Sequence, residues 1–300
     1  MGSFVLCSFL GNMIIQKYFI DPTLIVVEST HYSIEKIPFP AVTLCDPQVV
    51  YGPNVNNVTE ILSRRGFNSE QIRAFYDSFN AIASFQYTPP MQVKKMHSLL
   101  DELGLPYDEL LWMFHKPCHV LLKECRWRSK VYDCTQMFRE VRTYHGYCCQ
   151  FDINYFKENA QNGTEFVSGI KMSEALDIIV NEENITPDGV VTDGSIMLFI
   201  FDAKDNVSLL DSSIIISQGG YFDVNFGVWA IDASDSVKEL NIRSRNCVLE
   251  TDDIHGPGYY FGCISAIIVK KLVETCKCIP SSYNELTECY KWALQQHAAI

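Results

Sequence analysis

The chain is short of positive charge. Among its 300 residues, 24 Lys and Arg stand against 36 Asp and Glu, a net charge of −12. A protein that binds phosphate backbones needs a basic stripe, so nucleic acid is excluded as a partner. Catalytic signatures are missing too: there is no G-x-S-x-G elbow, no H-E-x-x-H and no Walker-type loop. "GPGYYFG" at 256–262 has the wrong spacing for a dinucleotide loop and reads as a turn. The seven His are scattered, and carboxylate pairs such as Asp252–Asp253 read as solvated loops. The chain is therefore not read as an enzyme, and no cofactor or metal is assigned to it. Repeats and low-complexity tracts are absent. No charge precedes Lys17, so the apolar start "SFVLCSFLGNMII" lacks the basic lead of a signal peptide. No second hydrophobic span exists either, since "SIMLFIF" and "SSIIISQGG" are strand-length.

What is abundant is cysteine. Twelve are present, together with four N-x-Ser/Thr sequons at Asn57, Asn162, Asn184 and Asn206. The combination points to an oxidising, extracytosolic compartment and to glycosylation. Zinc is the weaker reading. Cys276, Cys278 and Cys289 lack paired C-x2-C spacing, and Pro117 interrupts the turn that would group His115, Cys118 and His119. Residues 1–20 read as a membrane helix with Lys17 snorkelling toward the headgroups and a missing or very short cytosolic lead-in.

Beyond that helix, "IPFPAVTLCD" sets Pro38 and Pro40 before a short apolar run closed by Cys45. Both prolines push their neighbours toward extended backbone, which predicts a strand over Ala41–Leu44. The polar stretch after Cys45, up to Leu62, reads as loop. Helix-spaced apolar residues run from Thr59 to about Ser84, and again from Lys94 to Phe114 with Pro106 as a break. Cys125 and Cys134 bracket a basic loop that a hairpin would close. In "GYCCQFD" the adjacent Cys148 and Cys149 point to opposite faces of a strand and cannot easily share a partner. "SIMLFIF", "SIIIS" and "YFDVNFGVWAI" read as β, with Gly219–Gly220 as a turn. A last helix is predicted over Cys263–Glu274.

Taken in order, these motifs resemble the degenerin/epithelial sodium channel/acid-sensing channel family, most closely its insect pickpocket branch. Phe39, Pro40, Ala41, Val42, Thr43 and Cys45 match the family's FPAVT-[IL]-C signature. "LLKECRWRSKVYDC" and "GYCCQFD" resemble the next two cysteine motifs, with Asp152 where Asn is usual. "AIDASDSVKELNIRSRNCVLETDD" resembles a palm strand and the entry to the thumb, and "CISAIIVKKLVETCKCIPSSYN" the first thumb helix.

The resemblance implies an α+β fold: one N-terminal transmembrane helix (1–20) and a disulfide-rich extracellular domain (21–300) with a β-sheet palm and peripheral helical finger and thumb. It implies disulfides from Cys45 to Cys148 (or Cys149), from Cys125 to Cys134 and from Cys278 to Cys289. It implies a homo- or hetero-trimeric, sodium-selective, amiloride-sensitive-type channel subunit in the plasma membrane, with membrane lipid and permeant sodium ions as its partners. The chain is incomplete against that pattern. The cytosolic His-Gly motif, the later palm strands and the second transmembrane helix with the selectivity filter are not in it. With Cys7 set aside, 11 cysteines remain, an odd number. The alternative reading is a non-conducting, membrane-anchored or secreted cysteine-rich ligand-binding or regulatory protein.

Overall fold

The computed structural model describes residues 2–20, 23–27, 39–83, 98–102, 104–143, 145–159, 175–181, 194–201, 212–217, 219–227 and 232–245, with single positions 30, 37, 249, 271, 274 and 275. The chain divides into two units, residues 1–33 with 223–260, and residues 34–222 with 261–300.

The first unit is described through three helices. α1 spans Gly2–Ile20, and its apolar residues face out on every side: Phe4, Val5, Phe9 and Ile14 are all well exposed. Among the described residues, no helix is long and apolar enough to cross a membrane. The predicted spanning segment thus coincides with a helix that falls short of that criterion by itself. Leu24–Val27 continues as exposed, non-helical chain, and the Thr23 hydroxyl donates to the Arg245 carbonyl at 3.2 Å. "AIDASDSVKELNIRSRNCVLETDD" resembles a palm strand and the entry to the thumb in sequence, and within it residues 235–238 and 242–245 form short helical turns. Ser234, in extended backbone, begins the first of them, and its carbonyl accepts from Val237 and Lys238.

The second unit holds the sheets. β1 (Ala41–Cys45) is buried at every residue and lies at the centre of a five-stranded antiparallel sheet. β4 (Phe138–Thr143) and β5 (Gly146–Phe151) lie on one side of it, β7 (Ile196–Phe201) and β8 (Ile214–Ile216) on the other, in the order β4-β5-β1-β7-β8. A strand buried on both faces reads as a near-continuous apolar run, which "AVTLC" supplies with Thr43 as its one polar residue. A second sheet, β3-β2-β6, joins β2 (Leu122–Trp127), β3 (Lys130–Tyr132) and β6 (Leu176–Val180). Residues 221–227 form no ladder among the described residues, so the β reading of "YFDVNFGVWAI" is corrected there. Without a partner strand, apolar alternation alone does not make a sheet.

Against the strands lie α2 (Gly52–Arg64), α3 (Ser69–Ala83) and α4 (Tyr107–Phe114). Their buried residues, Val58, Leu62, Phe75, Phe79, Leu110, Leu111 and Phe114, form one core with Val50, Leu100 and Leu105. The sequence was read as loop up to Leu62, but α2 begins at Gly52 with Pro53 in its first turn, where a missing N–H costs nothing. The helix continuous from Thr59 to Ser84 is split: Gly66 sits at φ +90°, a conformation L side chains avoid, and separates α2 from α3. Pro106, in extended backbone, starts α4. Short turns follow as α5 (Cys118–Leu121), α6 (Cys134–Met137) and α7 (Ile153–Asn159). The predicted Cys263–Glu274 helix lies almost wholly outside the described residues.

Candidate functional site

Among the described residues, three disulfides gather around β1 and β5. Cys45 is bonded to Cys148, Cys125 to Cys134, and Cys118 to Cys149. β1 and β5 run antiparallel with Leu44 opposite Cys149, which sets Cys45 directly across from Cys148. Their Cα atoms lie 4.6 Å apart, the close spacing of a non-hydrogen-bonded antiparallel pair. Cys149 points to the other face, where Cys118 at the start of α5 meets it. The sequence left open whether Cys148 or Cys149 serves Cys45, and it gave Cys118 no disulfide partner. Two cysteines facing opposite ways require two partners, and that was the available signal. Cys278 and Cys289 lie outside the described residues, as do Asn162, Asn184 and Asn206. Asn57 is exposed on α2, while the hydroxyl of Thr59 in the same sequon hydrogen-bonds Tyr76 at 2.9 Å. Cys7, on α1, is a free and exposed thiol.

The signature residues are held by aromatic packing. Phe39 meets Trp127 edge-on with centroids 4.9 Å apart and Phe151 at 5.6 Å. Trp127, 2% exposed, also stacks on Phe151 at 5.3 Å. Trp127 ends β2, whose hairpin to β3 turns at Arg128 and Ser129, both with positive φ. That is the geometry a two-residue hairpin requires, here without glycine. The Cys125–Cys134 bond ties the base of this hairpin, so the aromatic anchor and the disulfide fix one element. Asp152, which replaces the family's usual Asn, caps α7 by accepting from the Asn154 N–H at 2.8 Å and pairs with Arg139 at 3.1 Å.

A buried polar knot adjoins the disulfides. Asp46 follows β1, accepts from the Gln48 N–H at 2.8 Å, and lies 3.6 Å from Lys116 Nζ. Lys116 also donates to the Asn181 carbonyl at 3.3 Å. Burial pushes the Asp46 carboxyl above its ordinary range, against the Gln48 bond and the Lys116 charge. His115 bonds the Trp112 carbonyl through Nδ1, and its Nε2 lies 3.5 Å from Glu140. Glu140 in turn accepts from the Cys118 N–H at 3.1 Å. Burial lowers the His145 pKa. Asp46, His115, Lys116, His145 and Tyr147 line a cavity of about 10 Å³, the space of one water. Beside it Arg142 pairs with Asp108 at 2.7 Å, linking β4 to α4, and burial pushes Tyr107 up to about 12. Among the described residues no group of three His, Cys, Asp or Glu could hold a metal ion. His115 and His119 do not join Cys118 in a zinc site, because Cys118 is oxidised.

This arrangement is a cross-linked joint within the second unit, holding β1 and β5 to the elements packed around them. The family model for the amiloride-sensitive sodium channel matches residues 1–298. The chain belongs to this family. The proteins of this family are ion channels, not enzymes. Similar curated proteins are the sodium channel protein Nach of Drosophila ananassae, 24% identical over 77% of this chain and 45% of the relative, and that of Drosophila virilis, 24% identical over 63% of this chain and 50% of the relative. The Nach protein of Drosophila melanogaster is 21% identical over 92% of this chain and 56% of the relative. The chain thus spans about half the length of the curated relatives it matches.

Proposed function

We propose that the chain is the N-terminal and extracellular part of a subunit of a sodium-selective, amiloride-sensitive-type cation channel in the plasma membrane. The observation that carries this reading is the fully buried β1, disulfide-bonded at Cys45, in a chain matched by the channel family model along nearly its whole length. α1, together with its flanking residues, seats in the bilayer. The supporting observation is its apolar surface, exposed on all sides, with Lys17 near its C-terminal end. Most of the chain is then extracellular, with the five-stranded sheet as palm and the α2–α4 helices as finger. Asn57, Asn162, Asn184 and Asn206 are the glycan sites, and Cys278 pairs with Cys289. Subunits assemble as homo- or hetero-trimers that conduct sodium.

Whole-cell recording of a full-length form, alone and with sister subunits, tests the reading. The expected result is an amiloride-blocked sodium current. Surface expression without any cation current under either condition would overturn it and favour a non-conducting regulatory role. Alkaline carbonate extraction tests the membrane seat of α1, which is lost if the chain leaves with the soluble fraction.

A further inference from the structure

The Asp46–Lys116 pair is buried on both sides, with side chains 8% and 3% exposed. Taking two opposite charges out of water carries a large desolvation penalty that their attraction must offset. A neutral amide in the same place would carry no such penalty. We propose that Lys116 Nζ and Asp46 Cγ become joined by an intramolecular isopeptide bond, a covalent cross-link beside the Cys45–Cys148 disulfide.

The pair contains every atom the condensation needs. The ammonium of Lys116 passes one proton to Asp46 Oδ2, giving a neutral amine beside a neutral acid. The nitrogen lone pair then attacks Cγ. A second proton moves from Nζ to the Oδ2 hydroxyl, the Cγ–Oδ2 bond breaks, and water departs. One N–H remains on the new amide, and no oxidant or co-reactant enters.

The surroundings fit each stage. Burial raises the Asp46 carboxyl, which favours its protonated form. Oδ2 is the oxygen facing Lys116, at 3.6 Å, and so is placed to leave. Oδ1 is held by the Gln48 N–H at 2.8 Å, a donor aimed at the oxygen on which negative charge grows during attack. Nζ already lies 3.3 Å from the Asn181 carbonyl, the acceptor the product N–H requires. Both polar groups of the amide therefore inherit partners that are in place. The adjoining cavity of about 10 Å³ is the size of the water released, and the neutral product suits a site that solvent barely reaches.

Peptide mapping of the purified chain, reduced and alkylated to open every disulfide, tests this directly. The expected result is one species joining the Asp46 peptide to the Lys116 peptide, lighter than their sum by one water and stable to reductant. Recovery of both peptides only in unjoined form, from folded wild-type chain, overturns the proposal and leaves an ion pair. Lys116→Arg keeps the positive charge but removes the amine, so the joined species disappears while the Cys45–Cys148 link is still found in a parallel digest without reductant. A joined species that persists in Lys116→Arg, shifted only by the mass difference between Lys and Arg, assigns the bond to another lysine and also overturns it. Should that variant fail to fold, the wild-type map decides alone. The result does not depend on channel activity, so failure here and failure of the channel reading are distinguishable.

Discussion

Single residues set the character of the joint. Trp127 is almost fully buried among Phe39, Phe151 and Phe156. Trp127→Ala should cost about 3–5 kcal/mol through lost burial and the cavity left behind, measured by urea unfolding of the oxidised chain. His145 gives a pH test with a definite sign. Burial lowers its pKa below the ordinary 6.5, so the unfolded chain takes up the proton more readily than the folded one. The stability it contributes is fully present above 6.5 and is lost as pH falls from there through the folded value. Melting followed between pH 7.5 and about 5.5 should show this slope, and His145→Gln should flatten it. Other residues were less visible in sequence. Lys116 looked like any surface lysine between His115 and Pro117, because nothing local marks a charge whose partner lies 70 positions earlier, at Asp46.

At the scale of elements, what could be read followed local chemistry. β1 was legible because two prolines and a short, mostly apolar run need no distant information. The β2–β3 hairpin was legible from the Cys125–Cys134 spacing, and β5 from "GYCCQF". The start of α2 was not, because Asn and Gly dominate its first turns and mimic a loop; the core that Val58 and Leu62 join decides the matter. The division between α2 and α3 hung on one backbone angle at Gly66. Gly66→Ala should destabilise by about 1 kcal/mol, since no Cβ contact obstructs it and only the positive φ opposes it. Thermal denaturation of the chain checks this. A change of that size without loss of helix signal identifies the left-handed cap as its source.

At the scale of the molecule, long-range covalent links dominate. The Cys45–Cys148 bond closes a separation of 103 residues, the Cys118–Cys149 bond 31 and the Cys125–Cys134 bond 9. In the loop-closure account the first is the most stabilising, at about 4–5 kcal/mol, and the last the least, at about 2–3 kcal/mol. Cys45→Ser with Cys148→Ser should therefore lower the melting temperature more than Cys125→Ser with Cys134→Ser. Equal shifts by calorimetry would show that native packing, not chain entropy, sets what each bond contributes. Only the shortest, Cys125 to Cys134, was legible from its spacing; the two longer ones were not. Sequence could say that Cys148 and Cys149 face apart, but only the sheet order says what waits on each side.

The two longer bonds interleave along the chain: Cys118 falls inside the span closed by Cys45 and Cys148, and Cys149 lies one residue beyond it. Seen from the ribosome, this sets a timetable. Cys125 and Cys134 emerge close together and can oxidise at once. Cys45 must stay reduced while the next 103 residues are made, roughly 5–20 s at ordinary rates of synthesis. During that wait Cys118 passes it, an available wrong partner. When Cys148 and Cys149 finally arrive together, a one-residue slip of β5 would exchange their partners and turn the strand inside out. Maturation of this chain is thus a problem of sequence in time, in which an oxidoreductase that reverses early errors matters as much as one that forms bonds.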